Sequence, residues 1–118
     1  MSEMSKMSGA QLIAAERQRQ IESEGWTAEH DDELGAEHLE LAALCYRDAA
    51  GSATQQPTFW PLPAEWWKPQ DRRRNLERAG ALYQAAADTA DRAEDYKLRD
   101  QLRGQVDNCS IFLDSISR

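Results

Sequence analysis

The side chains best suited to chemistry in this sequence are aromatic and cationic residues that lie close together before and at the start of a predicted helix. They are two tryptophans, a lysine, an acid and two arginines: Trp66, Trp67, Lys68, Asp71, Arg72 and Arg73. Aromatic faces stack on flat rings, and the forked donors of a guanidinium suit phosphate. Helix N-termini also favour anions. The segment therefore predicts a binding site for a flat, anionic ligand.

A second polar cluster surrounds another tryptophan, with Trp26 followed by His30, Asp31 and Asp32. Trp26 could stack on a ring while the two acids accept hydrogen bonds from ribose hydroxyls or an exocyclic amine. The alternative is a connector between helices, in which Trp26 fills the edge of the core and the acids cap the next helix. We count all four residues as candidate ligand-binding residues.

Catalytic groups are sparse. Glu37 and Glu40 are spaced i, i+3 and share a helix face, so they could hold one Mg²⁺. Such a pair resembles the first ExxE pair of the MazG-type nucleoside-triphosphate pyrophosphohydrolases, and the acids at 88–94 only approximate the second pair. His30 and His38 are the only histidines, and no serine lies in a nucleophile elbow. The leading interpretation is therefore a binding site without catalytic residues, metal or cofactor, and Mg²⁺ enters only under the alternative.

The bulk composition limits the possible partners. The chain has 118 residues, a net charge of −7 and an isoelectric point of about 4.8. A chain of this size predicts one domain, and its acidity argues against nucleic acid as a partner. No apolar run approaches the roughly 18 residues of a membrane span, and the polar start lacks the apolar region of a signal peptide. We expect a protein of the bacterial host cytoplasm with Cys45 and Cys109 reduced and buried.

The elements that must position these residues are helices. Apolar spacing predicts helices over residues 9–24 and 36–50, and a third that starts at 69–71 and continues past 90 to Gly104. A final short helix is predicted over 106–116. In the first helix the pattern places Leu12, Ala15 and Ile21 inward and Glu16 and Gln20 in solvent. Gly80 hints at close contact between helices.

The predicted fold class is all-α, because no strand-like alternation occurs. We expect a small bundle of three main helices plus a C-terminal helix. Residues 51–70, hereafter the Trp-rich loop, are long enough to be functional or disordered. Their tryptophans argue against disorder, so we expect the loop to pack across the bundle. The predicted organisation is a disordered lead at 1–8, a ligand-binding domain at 9–90 and a helical extension at 91–118 that packs back or builds an oligomer. We expect a homo-oligomer.

Residues 15–32, 66–74 and 79–82 together resemble a family of small bacteriophage and prophage proteins, and the likeness covers residues 12–84. A more distant resemblance is to the ryanodine-receptor-type repeat, at Gly25-Trp26, Asp31-Asp32 and Asp71-Arg72. Such repeats bind adenine-nucleotide-type ligands in some settings, and phages carry small proteins that sequester nucleotide immune signals. The resemblance therefore implies a phage-type binder of a nucleotide-like small molecule.

Three functions remain open at this point. The first is the non-enzymatic nucleotide binder, which could act as an anti-defence protein by sequestering a host immune signal. The second is the MazG-like pyrophosphohydrolase with Glu37 and Glu40 on Mg²⁺. The third is an inhibitor that binds a host protein through the Trp-rich loop, because tryptophan and arginine dominate protein interfaces.

Overall fold

The computed structural model describes residues 7–116, which form five α-helices. The helices are α1 Gly9–Glu24, α2 Ala28–Leu34, α3 Ala36–Asp48, α4 Arg72–Arg92 and α5 Tyr96–Ile116. A single 3₁₀ turn, Ala64–Trp66, lies within the Trp-rich loop. The described residues contain no strand, so the predicted all-α class is confirmed. Most of the predicted lead at 1–8 falls outside the described residues.

Helix α1 has well-defined ends. Ser8 is its N-cap and forms a capping box with Gln11, whose backbone nitrogen donates to the serine hydroxyl at 3.1 Å. Asp114 of α5 also accepts a hydrogen bond from the backbone nitrogen of Gly9 at 2.6 Å. At the other end Gly25 adopts a left-handed φ of 73°, as expected of a glycine that ends a helix. The first turn of α1 is thereby held to the last turns of α5.

Helix α4 lies at the centre of the core. Between Asn75 and Ala90 every residue except Gln84 and Asp88 is buried, because α1, α3 and α5 all pack against this helix. Its alanines allow the neighbouring backbones to approach closely. At Gly80 a Cβ atom would lie only 2.5 Å from Cδ1 of Ile13, so the predicted close contact at this glycine is present.

The buried face of α1 differs from the predicted one. Ala15 is exposed and Ile21 only half-buried, whereas Glu16 and Gln20 are buried. Glu16 follows Leu12 by four residues and Gln20 follows Glu16 by four, so all three share one face. The face of α1 that is buried therefore includes polar residues with polar partners and does not follow the apolar periodicity alone. The expectation that Glu16 and Gln20 face solvent is wrong.

One short helix was not predicted, and one helix end was predicted too late in the chain. Residues 28–34 form α2 instead of a connection, with the Thr27 hydroxyl accepting from the backbone nitrogen of His30 at 3.3 Å. The third predicted helix ends at Arg92 and not at Gly104, which lies inside α5. Local hydrogen bonding overrides the apolar pattern at both places.

The break between α4 and α5 has a clear physical cause. Glu94 takes a left-handed φ of 60°, and Asp95 donates its backbone N–H to the carbonyl of Ala90 at 2.9 Å. Together with the bond from Glu94 N–H to the Asp91 carbonyl at 3.0 Å, this is a Schellman ending. The Asp95 carboxylate then caps α5 by accepting from the Leu98 nitrogen at 3.2 Å.

Helix α5 packs back along α4. Leu102, Cys109 and Leu113 are fully buried and belong to the same apolar cluster as the side chains of α1, α3 and α4. Both cysteines are free and buried as predicted, and burial raises the pKa of each thiol to about 11. None of the helices in residues 7–116 combines the length and the apolar character that crossing a membrane requires.

Candidate functional site

A cavity of about 270 Å³ opens between α1, α3, α4 and the Trp-rich loop. Four aromatic side chains from three separate segments line it: Trp26, Tyr46, Trp60 and Trp66. Polar and charged side chains from α1, α4 and the loop complete the lining. The cavity thus combines aromatic walls with a small number of charged groups, as small-molecule sites generally do.

The aromatic walls form two groups. On one side the ring of Trp26 lies 5.8 Å from that of Trp66 and 5.1 Å from that of His30. On the other side Tyr46 meets Trp60 edge to face at 5.6 Å, with Trp67 packed behind at 4.8 Å from Tyr46. These centroid distances are typical of favourable aromatic contacts. Trp26 and Trp60 are each only 8% exposed, so most of both rings is held by the protein.

The hydroxyl of Tyr46 positions the Trp-rich loop beside α3. It donates to the carbonyl oxygen of Trp66 at 3.1 Å and accepts from the backbone nitrogen of Lys68 at 3.0 Å. The indole of Trp60 is also fixed by a hydrogen bond, because its Nε1 donates to the Pro63 carbonyl at 3.1 Å. Aromatic rings held by both packing and hydrogen bonds give the cavity a preformed wall.

Arg78 of α4 supplies a buried positive charge to the cavity. Its side chain is 9% exposed, and its Nη1 donates to the Lys68 carbonyl at 3.1 Å and to the Tyr46 hydroxyl at 3.4 Å. Its Nε is buried without any hydrogen-bond partner. Among residues 7–116 no ion pair includes Arg78. A desolvated guanidinium without a carboxylate is unfavourable unless something else neutralises it.

On the α1 side of the cavity, a buried carboxylate is neutralised by two arginines. Glu16 accepts from Arg19 Nε at 2.8 Å and from Arg74 Nη2 of α4 at 2.6 Å. Burial by itself would raise the pKa of Glu16, but the hydrogen bonds and charges of the two arginines outweigh it, and the pKa is lowered. The hydrogen bond to Glu16 in turn raises the pKa of Arg19. Gln20 completes this side, and its Oε1 is buried without a partner.

The predicted site residues are only partly brought together. Trp26, Trp66 and Lys68 line the cavity, and His30 packs against both tryptophans at its edge. Trp67 lies behind the wall, where its Nε1 donates to the Thr54 carbonyl at 3.1 Å.

The two predicted acids after Trp26 lie elsewhere. Asp31 is fully buried in an ion pair with Arg17 at 2.6 Å and contacts His30 at 3.2 Å. Asp32 is exposed and pairs with Arg92 at 2.9 Å. Neither lines the cavity.

The start of α4 also lies outside the cavity lining. Asp71 is the N-cap and accepts from the backbone nitrogen of Arg74 at 2.8 Å. Arg72 donates through Nη1 to the carbonyls of Arg47 and Ala49 at the end of α3, the latter at 3.1 Å. Arg73 is largely exposed and pairs with Glu77 at 3.4 Å. In the described residues Asp71 caps a helix, Arg72 joins two helix ends, and Arg73 forms a surface ion pair.

Glu37 and Glu40, the alternative metal ligands, lie on α3 beside a separate, more open depression whose lining also includes Arg47. Of the acids in the approximate second pair, Asp91 is bound to Arg99 at 2.7 Å. Within the part of the chain that the structure describes, no three His, Cys, Asp or Glu side chains converge as a metal site would require.

Sequence reasoning did not identify Arg78, Gln20, Glu16, Tyr46 or Trp60 as parts of the cavity. One signal was available on α1, where the i, i+4, i+8 spacing of Leu12, Glu16 and Gln20 places polar residues in line with a buried leucine. Comparisons with protein-family models, with curated proteins and with solved structures found no match for this chain.

Proposed function

We propose that this protein binds a flat, anionic, nucleotide-like small molecule in the aromatic-walled cavity. The observation that carries the proposal is Arg78, a buried guanidinium without a carboxylate partner among the described residues. It lies next to Tyr46 and donates to the Lys68 carbonyl of the Trp-rich loop. An aromatic ring stacked between the walls and an anion placed against Arg78 would satisfy both features.

The charges around the cavity support an anion as the ligand. Glu16 is neutralised by Arg19 and Arg74, and Glu24 also pairs with Arg19 at 3.3 Å. Arg78 and the exposed Lys68 therefore remain as the cations without a carboxylate in the described residues that line the cavity. The cavity lining therefore has a local excess of positive charge in a chain of net charge −7.

The size of the cavity supports a small ligand. Its volume of about 270 Å³ is just below the range of roughly 300–1,000 Å³ of typical ligand pockets. A nucleoside monophosphate or a part of a larger nucleotide suits this space better than a whole dinucleotide.

The polar groups of the cavity favour holding a ligand over transforming it. Both lining carboxylates are paired with arginine, and the lowered pKa of Glu16 makes it a weak base. We therefore propose a non-enzymatic binder, with sequestration of a nucleotide signal by a phage protein as the role that the sequence resemblance suggests.

Titration of the intrinsic tryptophan fluorescence tests the proposal directly. Nucleoside mono-, di- and triphosphates, cyclic dinucleotides and cyclic ADP-ribose isomers are added, and binders are confirmed by calorimetry. We expect at least one of them to quench the fluorescence, since Trp26, Trp60 and Trp66 all line the cavity. Chromatography of the same mixtures with Mg²⁺ should return the ligand unchanged, and turnover would contradict the non-enzymatic assignment.

A variant of Arg78 makes the test specific to the cavity. Arg78→Leu should weaken binding of the anionic ligand by about tenfold to a hundredfold, because a charge-assisted hydrogen bond is lost. Arg73→Leu removes the same charge from the same helix outside the cavity and serves as the control. Equal effects of the two substitutions would contradict the proposed site.

Self-association stays a prediction. The exposed side chains of Ile111, Phe112 and Ile116 on α5 offer an apolar surface for it. Light scattering coupled to size-exclusion chromatography at micromolar concentration tests this point independently of ligand binding.

A further inference from the structure

The open depression beside Glu37 and Glu40 contains a tyrosine hydroxyl that the fold does not use. This depression, hereafter the α3 depression, has a volume of about 340 Å³, is lined by residues of α3, α4 and α5, and shares none of them with the aromatic-walled cavity. Its residue from α4 is Tyr83, which is only 2% exposed and whose hydroxyl makes no hydrogen bond within residues 7–116. Such groups normally have a partner in folded proteins.

The hydroxyl of Tyr83 is open to solvent, unlike the other unpartnered polar atoms. In the described residues the side-chain atoms that are both closed off from solvent and without a partner lie elsewhere, on Arg17, Gln20 and Arg78. The Tyr83 oxygen is therefore accessible, although the ring that carries it is buried. Because Tyr83 lines the α3 depression, a ligand bound there can reach this oxygen.

The charges that act on Tyr83 also place its hydroxyl at the depression. Burial raises the pKa of Tyr83 to about 12, and the charges of α3 modify it: Arg47 lowers the pKa, whereas Glu40 and Asp48 raise it. Arg47 and Glu40 are themselves lining residues of the depression. At neutral pH the hydroxyl keeps its proton, and its oxygen can still accept a hydrogen bond.

Glu37 and Glu40 give the depression a surplus of negative charge. They are spaced i, i+3 on one face of α3, and within the part of the chain that the structure describes neither forms an ion pair. Arg47 is the cation of the lining, but Asp48, outside the lining, pairs with it at 3.2 Å. The two glutamates therefore have no cation of their own.

The depression also offers apolar surface. Leu41 and Leu44 line it and are half-buried. Methylene groups gain free energy by packing on such side chains, whereas Mg²⁺ usually keeps several of its waters. Two carboxylates, a neutral hydroxyl and two leucines thus suit cationic groups joined by an aliphatic chain better than a hydrated metal ion.

We infer that the α3 depression binds an aliphatic diamine. One ammonium group donates to the carboxylate of Glu40 and to the hydroxyl oxygen of Tyr83, and the second pairs with Glu37. The methylene chain between them packs against Leu41 and Leu44. This site is separate from the nucleotide cavity, so a failure of either proposal leaves the other standing.

An NMR titration of the isotope-labelled protein with cadaverine tests the site, because the backbone amides show where a ligand binds. We expect saturable shifts on α3 and at Tyr83. The corresponding diol has the same chain without charge and should give none. Mg²⁺ at the same concentration should leave the shifts caused by cadaverine in place, and displacement by Mg²⁺ would overturn the inference in favour of a metal ion.

A monoamine distinguishes a free diamine from the lysine side chain of a partner protein. Nα-acetyl-lysine amide carries one ammonium group on an aliphatic chain and should bind about tenfold more weakly than cadaverine, since one charge-assisted contact is missing. Binding of the lysine compound as tight as that of cadaverine would overturn the diamine as the ligand.

Tyr83→Phe is the decisive variant, because it removes the hydroxyl without changing any charge. A chain of net charge −7 attracts organic cations in general, and this substitution leaves that attraction unchanged. We expect cadaverine to bind about tenfold more weakly to Tyr83→Phe. The melting temperature without ligand should not fall, since the hydroxyl has no partner among the described residues. Unchanged affinity in Tyr83→Phe would overturn the inference.

A matched pair of charge changes completes the test. Glu40→Gln should weaken the binding of cadaverine by about tenfold, because an ion pair becomes a neutral contact. Glu33→Gln makes the same change on an exposed residue of α2 outside the depression and should have little effect, since salt screens distant charges. Equal effects of the two substitutions would show general attraction to an acidic protein and overturn the proposed site.

Discussion

The hydroxyl of Tyr46 lies 3.4 Å from Nη1 of Arg78 and joins the buried cation to the Trp-rich loop. The same oxygen bonds the backbone of Trp66 and Lys68, and the guanidinium carbon of Arg78 lies 5.6 Å from the centre of the tyrosine ring. One side chain of α3 therefore positions both the aromatic wall and the charge of the proposed site.

Removing this hydroxyl should loosen the loop. Tyr46→Phe leaves the Lys68 nitrogen and the Trp66 carbonyl without their partner, at a cost of about 1–3 kcal/mol in the free energy of unfolding. We expect a lower melting temperature and a red shift of tryptophan emission as Trp66 becomes more exposed. Tyr83→Phe is the control, because it removes the hydroxyl of another buried tyrosine ring, one that makes no hydrogen bond within the described residues. Unchanged emission in Tyr46→Phe would show that the loop is held by packing alone.

Arg72 and Arg73 should differ in their effects on stability. Arg72 donates to two carbonyls at the end of α3, so Arg72→Ala should lower the free energy of unfolding by about 1.5–3 kcal/mol, as expected for hydrogen bonds from a charged group. Arg73→Ala should change it by less than about 1 kcal/mol, because its ion pair is exposed. Urea unfolding measures both, and a loss of ligand affinity in Arg72→Ala with unchanged stability would restore its predicted role in binding.

Asp31 and Asp32 should also differ in their effects on stability. Asp31→Asn removes the partner of Arg17 in a buried ion pair and should destabilise the fold by about 3–5 kcal/mol. Asp32→Asn affects an exposed pair with Arg92 and should change stability by less than about 1 kcal/mol. Thermal unfolding distinguishes them, and similar melting temperatures would contradict the structural role of Asp31.

Glu16 should contribute to the loss of stability in acid. Its pKa in the folded protein is lowered below the ordinary value of 4.5, so the folded state binds its proton less readily than the unfolded state does. The stabilisation is present above pH 4.5 and is lost as the pH falls through the folded pKa. Glu16→Gln should therefore be less stable at pH 7 and show a flatter decline below pH 4.5. Parallel acid curves for the two proteins would exclude this contribution.

Two glycines of the long helices should respond oppositely to alanine. Gly80→Ala places a Cβ atom 2.5 Å from Ile13 and should destabilise by about 1–3 kcal/mol. Gly104→Ala, inside α5 with nothing within 4 Å of the new atom, should stabilise by about 1 kcal/mol. Circular dichroism melts measure both changes. A destabilising Gly104→Ala would favour the helix end that the sequence pattern predicts there.

Several features follow from the sequence alone because they depend on local chemistry. Ser8 and Gly25 carry local signals that start and end a helix, and both have these roles at the ends of α1. The all-α class follows from the spacing of apolar residues, and the burial of Cys45 and Cys109 follows from their place within apolar helices. The sequence also draws attention to Trp26, Trp66 and Lys68, which the structure places at one cavity.

Only the tertiary structure decides which polar residues enter the core. Glu16 and Gln20 look like solvent-facing residues in a helical pattern, and they are buried because Arg74 approaches from a helix more than fifty residues away in sequence. Arg72 looks like an anion-binding residue until the carbonyls at the end of α3 come within reach. Pairing between distant segments has no signature in local spacing, so the burial of Arg78 and the unpartnered state of its Nε become visible only in the tertiary structure.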